Sequence, residues 1–232
     1  EADKNAVRQA INEIQSRVQC LSFREVNSKP TGSHLYYVKY ALPGFCGQSY
    51  VGRLDVVNPI YLSFGCGNPA GIALHETLHA LGLQHEQLRI DRDRFITINW
   101  QNVNPQKYDA FAVSDATKFT SYGTQTAKPK SVRYDYGSIM HYSSTIATQN
   151  FGQKTMTAKI NPQSNDPIMG QRNGLSETDV VELRRMYCMP ECKDNNVYCG
   201  IWAVSNLCYS QDGFAQGWML QNCRKSCSFC GN

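Results

Sequence analysis

Three of the chain's five histidines, His75, His79 and His85, fall within eleven positions, and that spacing restricts what the segment can become. His75 and His79 are four residues apart, so on a helix both imidazoles project from one face and can reach one ion. The apolar run from Ile72 to Leu81 predicts the helix that carries them. Gly82 follows His79 by three residues, and glycine tolerates positive φ, so the chain can leave the helix there and swing His85 round to the same ion. Three neutral imidazoles leave one position of a tetrahedral zinc open, which is the arrangement of a catalytic site and not of a closed structural one. Glu76, beside the first histidine, can reach a water on the ion and take its proton as general base. The reaction class that follows is metal-assisted amide hydrolysis.

The cysteines divide the chain. Six of the ten lie between Cys192 and Cys230, and the other four (Cys20, Cys46, Cys66 and Cys188) are spread over the preceding residues. An even, clustered set points to disulfides and an oxidising compartment, which makes the chain secreted. A module as small as residues 190–232 cannot hold itself together by core burial alone and needs staples. Zinc binding by the tail is disfavoured, since it has no histidine and one close Cys-x-x-Cys pair, Cys227 and Cys230. The chain opens at Glu1 without an initiator methionine or a signal peptide and reads as a processed or trimmed product. No run of 18 apolar residues exists to span a membrane. A net charge of +4 is too small and too scattered to argue for nucleic acid. The Arg89–Arg94 stretch carries both signs and reads as a solvated surface.

The first part, residues 1–189, predicts an α+β domain. Val7, Ile11, Ile14 and Val18 recur at helical spacing. Strands are expected at Leu21–Val26, Leu35–Tyr40, Ser49–Val51 and Ile60–Phe64. Asn104-Pro105 is a helix start, with asparagine capping and proline in the first turn. From Ala112 to Met169 the pattern is irregular. Ser176 and Asp179 resemble a capping box ahead of a stripe formed by Val180, Leu183 and Tyr187.

The run His-Glu-Thr-Leu-His-Ala-Leu-Gly-Leu-Gln-His (75–85), continued by Glu-Gln-Leu-Arg-Ile-Asp-Arg-Asp (86–93), resembles the extended zinc signature of astacin-type metalloendopeptidases, and Ser-Ile-Met-His-Tyr (138–142) resembles their Met-turn. The resemblance covers roughly residues 1–189. It implies a two-lobed zincin (metzincin) catalytic domain with a long active-site helix. One zinc ion is implied on His75, His79 and His85, with Glu76 as general base and Met140 as an apolar floor. Tyr142 is implied as a further ligand that swings away to hydrogen-bond the oxyanion; from its residue type alone it is equally a core aromatic. His141 reads as structural. The same resemblance pairs Cys20 with Cys188 and Cys46 with Cys66, and implies a propeptide that holds activity off. It also implies a freed N-terminal amine buried near the glutamate after the third histidine. This chain opens almost directly into its first helix, so Glu86 has no visible amine partner. Family members often build their first primed-side pocket before the last helix. Arg172 there is a candidate for selecting acidic side chains, and a surface salt bridge to Glu177 or Asp179 is the competing reading.

Cys192 to Cys230, ending Cys-Arg-Lys-Ser-Cys-Ser-Phe-Cys (223–230), resembles the ShKT module of potassium-channel toxins. The resemblance implies bridges 192–230, 199–223 and 208–227, where spacing alone allows fifteen connectivities. It also implies a structural salt bridge between Asp194 and Lys225. The Lys-Tyr pair of the toxins is replaced by Gly217 and Trp218, which argues against channel block. Trp202, Phe214 and Trp218 form either the module's small core, the favoured reading, or an exposed aromatic surface. The leading function is a secreted zinc endopeptidase acting on protein or peptide substrates, with a tail that positions it on extracellular matrix or a cell surface. The alternatives are a non-catalytic binding protein on a dead protease scaffold and a toxin-like channel modulator.

Overall fold

The structure is a computed structural model and describes residues 1–113, 133–188, 193–210 and 212–227. Helix α1 (Ala2–Arg17) buries Ala10 and Ile14 on the face that the periodic apolar residues mark out. The chain then runs extended past Leu21 and Phe23, which alternate inward over the core. This segment is not the expected strand. No neighbouring strand pairs with it among the described residues, and the Phe23 N–H donates instead to Gln15 Oε1 of α1 at 2.5 Å.

A three-stranded sheet follows, made of β1 (His34–Lys39), β2 (Gly47–Ser49) and β3 (Val57–Leu62). The order is β1-β3-β2, with β1 parallel to β3 (His34 opposite Val57) and β2 antiparallel to it (Gly47 opposite Leu62). In β3 every second residue is buried (Asn58, Ile60, Leu62), as expected of a strand with one covered face. That face packs on α1 and on α2 (Pro69–Ala80), where Ala73, Leu74 and Leu78 complete the core. Helix α2 starts three residues before the expected Ile72, because Asn68 caps it by accepting the Gly71 N–H at 3.1 Å and Pro69 fills the first turn.

A second apolar cluster lies beyond α2 in sequence. It gathers Ile96, Phe111, Tyr134, Tyr136 and Met156 around the antiparallel pair β4 (Ile96–Ile98) and β5 (Met156–Ala158). The two separate clusters are the two lobes. Asn104 does cap a helix over Pro105–Phe111, but a 3-10 one interrupted at Lys107. After a single turn, α3 (Pro162–Asn165), the chain reaches α4 (Glu177–Leu183), which opens on a full capping box between Ser176 and Asp179. Val180 and Leu183 of its stripe are buried. Tyr187 is half exposed and donates its hydroxyl to the Leu81 carbonyl at 2.6 Å. Disulfides join Cys20 to Cys188 and Cys46 to Cys66.

In the tail, α5 (Cys199–Val204) and α6 (Gly213–Asn222) are stapled by Cys199–Cys223 and Cys208–Cys227. The expected 192–230 bridge lies outside the described residues. Trp202 and Trp218 meet edge to face at 5.2 Å inside this small cluster, whereas Phe214 is largely exposed, so the aromatic trio divides between core and surface. Asp194 does not make the expected direct ion pair. Its carboxylate accepts the Ser226 N–H and hydroxyl at 3.0 and 2.7 Å, and these bonds, with the Lys225 charge adding a smaller share, outweigh the opposing effect of desolvation and hold its pKa below the ordinary value.

Candidate metal centre

Helix α2 is buried along most of its length, so its two histidines are presented from inside the molecule. Gly82 adopts φ +104, in the left-handed region that glycine alone enters without strain. Its N–H returns to the His79 carbonyl and the Leu83 N–H to the Leu78 carbonyl, which ends the helix and sends His85 back toward it. The three imidazoles then converge. The His85 Nε2 stands 3.0 Å from that of His79 and 3.3 Å from that of His75.

The outer nitrogens decide what those short distances mean. His75 Nδ1 is 2.8 Å from the Ile139 carbonyl and His79 Nδ1 is 2.8 Å from the Leu83 carbonyl. A carbonyl only accepts, so both rings carry their proton on Nδ1 and turn a bare Nε2 lone pair inward. Burial holds all three rings neutral, lowering His79 to about 4 and His75 and His85 well below their ordinary range. The two fixed lone pairs, with the Nε2 of His85 within 3.3 Å of each, make a set that one cation can share. Two nitrogens about 2.05 Å from one ion at a tetrahedral angle stand about 3.3 Å apart, so the residues fit a zinc ion.

The turn containing Met140, which is fully buried, meets the cluster through the Ile139 carbonyl that accepts from His75. Asp179 anchors this turn from α4. Its Oδ1 accepts the Ser138 hydroxyl at 2.6 Å, and its Oδ2 accepts the Ile139 N–H at 3.0 Å and the Ser176 N–H at 2.9 Å. The Ile139 carbonyl is in turn the partner of His75, so a helix cap and a histidine orienter are one residue apart in the hydrogen-bond chain. The ring of Tyr142 lies 4.1 Å from that of His85. His141 is enclosed and bonded to the Tyr134 hydroxyl at 2.8 Å, away from the histidine cluster.

Glu76 is enclosed beside the cluster, against the edge strand β2. A Cβ on Gly47 would lie 2.8 Å from its Cγ and Oε1. Burial pushes its carboxyl up to about 7, against the pull of the Arg172 charge. Arg172 makes neither expected surface salt bridge. Glu177 pairs with Arg17 at 2.5 Å, and Asp179 is engaged as described. The Arg172 guanidinium turns inward, where Nη1 donates to the carbonyls of Ile139 (2.9 Å), His141 (3.2 Å) and Gln171 (2.8 Å).

The Arg89–Arg94 stretch is only in part the solvated surface its mixed charges suggest: Ile90, Asp93 and Arg94 are exposed, whereas Arg89 and Asp91 are partly enclosed. Arg92 is buried and bonds the carbonyls of Gln87 and Phe111, at 3.2 and 2.5 Å. Arg89 pairs with Asp91 through two bonds and with Glu86 at 3.0 Å. Charges of both signs close in sequence neutralise each other, which allows Arg89 and Arg92 to fold inward. Glu86 thus has a cation after all, and its Oε1 also accepts the Asp135 N–H at 2.9 Å. Asp179 and the Arg89 network are the site-supporting residues that sequence reading missed. The capping box was the available signal for Asp179, and mixed charge carried none for Arg89.

A buried helix bearing two histidines, a glycine exit to a third and a methionine-containing turn bonded to the first define a zincin-type metal centre. A family model for the Astacin peptidases matches residues 1–188, and the chain belongs to that family. Its cofactor is one zinc ion. A model described as ShK domain-like matches residues 191–230. Zinc metalloproteinase nas-11 of Caenorhabditis elegans is 52% identical over 228 residues, covering 98% of this chain and 38% of that protein. Zinc metalloproteinase nas-9 of the same organism is 47% identical over 230 residues, covering 99% and 40%. The chain therefore spans about two-fifths of the length of these relatives. The solved structure of High choriolytic enzyme 1, a hatching enzyme zinc-protease from Oryzias latipes, superposes with a TM-score of 0.67 at 28% identity, over 82% of this chain and 84% of that one.

Proposed function

We propose that the chain is a secreted zinc endopeptidase, with residues 1–189 as the catalytic domain and residues 190–232 as a module that localises it or docks its substrate. The observation that carries this reading is the convergence of three neutral imidazoles, two of them with the Nε2 lone pair fixed inward, with a buried carboxyl at their side. His75, His79 and His85 would hold the zinc. When bound, zinc supplies Lewis acidity toward the scissile carbonyl and toward water, whose pKa it brings from near 16 to about 7.

Glu76 does the proton work. Enclosed beside the three imidazoles, its carboxylate is placed to accept a proton from water and return it to the departing amine. Tyr142, beside His85, donates its hydroxyl to the oxyanion that forms as the peptide carbonyl is attacked. Met140 and the turn around it keep the floor dry and apolar. Arg172 brings a fixed positive charge to the edge of the site, so acidic side chains are favoured on the primed side. The disulfides support an extracellular setting, since no described cysteine is free.

The test is Glu76→Gln. The variant is expected to retain zinc and to lose cleavage of a casein substrate. Undiminished cleavage contradicts the assignment of the base. For Arg172, profiling a peptide library with the parent and with Arg172→Ala is expected to show the acidic primed-side preference weakened, and identical profiles contradict it.

A further inference from the structure

Gln87 lies two residues beyond the third histidine, and its side chain is completely enclosed. Its Oε1 accepts the backbone N–H of Tyr142 at 3.1 Å. One residue back, the Glu86 N–H donates to the Met140 carbonyl at 3.1 Å. The histidine segment and the methionine turn therefore meet through one backbone bond, and the Gln87 side chain supplies the next acceptor where the backbone ladder stops. The residue is also held from behind, because the buried Arg92 guanidinium donates to its carbonyl.

The remaining atom of this amide makes the arrangement unusual. Nε2 is buried and has no hydrogen-bond partner among the described residues. Turning the amide over would set its NH2 against the Tyr142 N–H, donor facing donor, so the orientation is fixed by Tyr142. An enclosed donor without an acceptor works against folding, and a methionine of similar shape would not carry that penalty. The bond to Tyr142 and the orphaned Nε2 thus offset one another in stability. What the amide alone provides is the placement of the Tyr142 backbone.

We propose that Gln87 is a positioning residue for Tyr142, fixing its main chain so that the ring stays on His85 and the hydroxyl is aimed where the oxyanion develops. The proposal rests on the reading of Tyr142 given above. It assigns to one buried amide the coupling between the third histidine's segment and the oxyanion donor.

Two readouts on the full chain test it. In the metal-free protein, hydrogen exchange at the Tyr142 amide is expected to be slow and to accelerate at least about tenfold in Gln87→Met, while the Glu86 amide keeps its protection. Gln87→Glu, which keeps the acceptor, is expected to restore the protection. In the zinc-loaded protein, Gln87→Met is expected to lower kcat by roughly 10- to 100-fold with KM within about twofold. In a Tyr142→Phe background the same substitution is expected to cost less than about twofold, because the group it positions is gone. An unprotected Tyr142 amide in the parent overturns the proposal without any variant. An equal loss of kcat in both backgrounds overturns it as well. A Tyr142→Phe protein as active as the parent strikes the reading of Tyr142 itself, and Gln87 is then decided by the exchange data.

Discussion

Gly47 has no side chain, and Glu76 occupies the space one would need. A Cβ there sits 2.8 Å from the Glu76 carboxylate, inside any permissible contact. Gly47→Ala is therefore expected to displace the proposed base while leaving the edge of the sheet paired. Its kcat/KM should fall by on the order of 100-fold with zinc content and circular dichroism unchanged, and an unimpaired variant contradicts the packing argument. Asp179 is a second such position. Three donors converge on its two oxygens, and an asparagine there would offer only one acceptor atom. Asp179→Asn is expected to loosen the Ile139 carbonyl that orients His75 and to weaken zinc binding roughly 10- to 100-fold, measured by competition with a chromophoric chelator. At this scale the sequence was uneven. Spacing alone brought the three histidines and Glu76 to one helix and its exit, because ligand geometry is set by local helix periodicity. The surface salt bridge weighed for Arg172 and the solvated position read for Arg92 do not form, because the burial of a guanidinium depends on distant backbone carbonyls that no local pattern encodes.

Elements were legible where a cap or a period marks them and obscure where pairing decides. Helices α1, α2 and α4 are all readable, α4 from the Ser176–Asp179 box and the apolar stripe behind it. The extended stretch after α1 has the alternation of a strand and no partner among the described residues, so the same inward–outward pattern serves as a cover over the core. Helix α4 also carries a titratable group whose behaviour can be checked. The Glu182 carboxyl is pushed up to about 7, first by burial and then by the Asp179 and Asp135 charges, against Arg89 and Arg185. Its folded pKa lies above the ordinary carboxylate value, so its contribution to stability is fully present below about 4.5 and is lost as pH rises through 7. Glu182→Gln is expected to leave the Tm unchanged near pH 4 and to raise it between pH 7 and 8. Equal effects at both pH values contradict the assignment.

At the scale of the molecule, two apolar clusters and a stapled tail account for the architecture, and the long Cys20–Cys188 link closes 168 residues of the first part. In the chain-entropy picture such a closure removes about 5 kcal/mol of unfolded-state freedom. The lobes themselves were hard to foresee. The second cluster draws Phe111, Tyr134, Met156 and Met169 from stretches without periodicity, and only their meeting in space makes them a core. The tail exposes Val197, Ile201 and Val204 in and just before α5, apolar residues that its disulfides leave outside.

The central claim is that three imidazoles share one zinc. It is tested most directly by the metal content of disulfide-intact protein after exhaustive dialysis, measured for the parent beside His79→Ala. The account predicts close to one zinc per parent chain and its loss in the variant; a parent without any transition metal, or a variant that keeps its zinc, contradicts it.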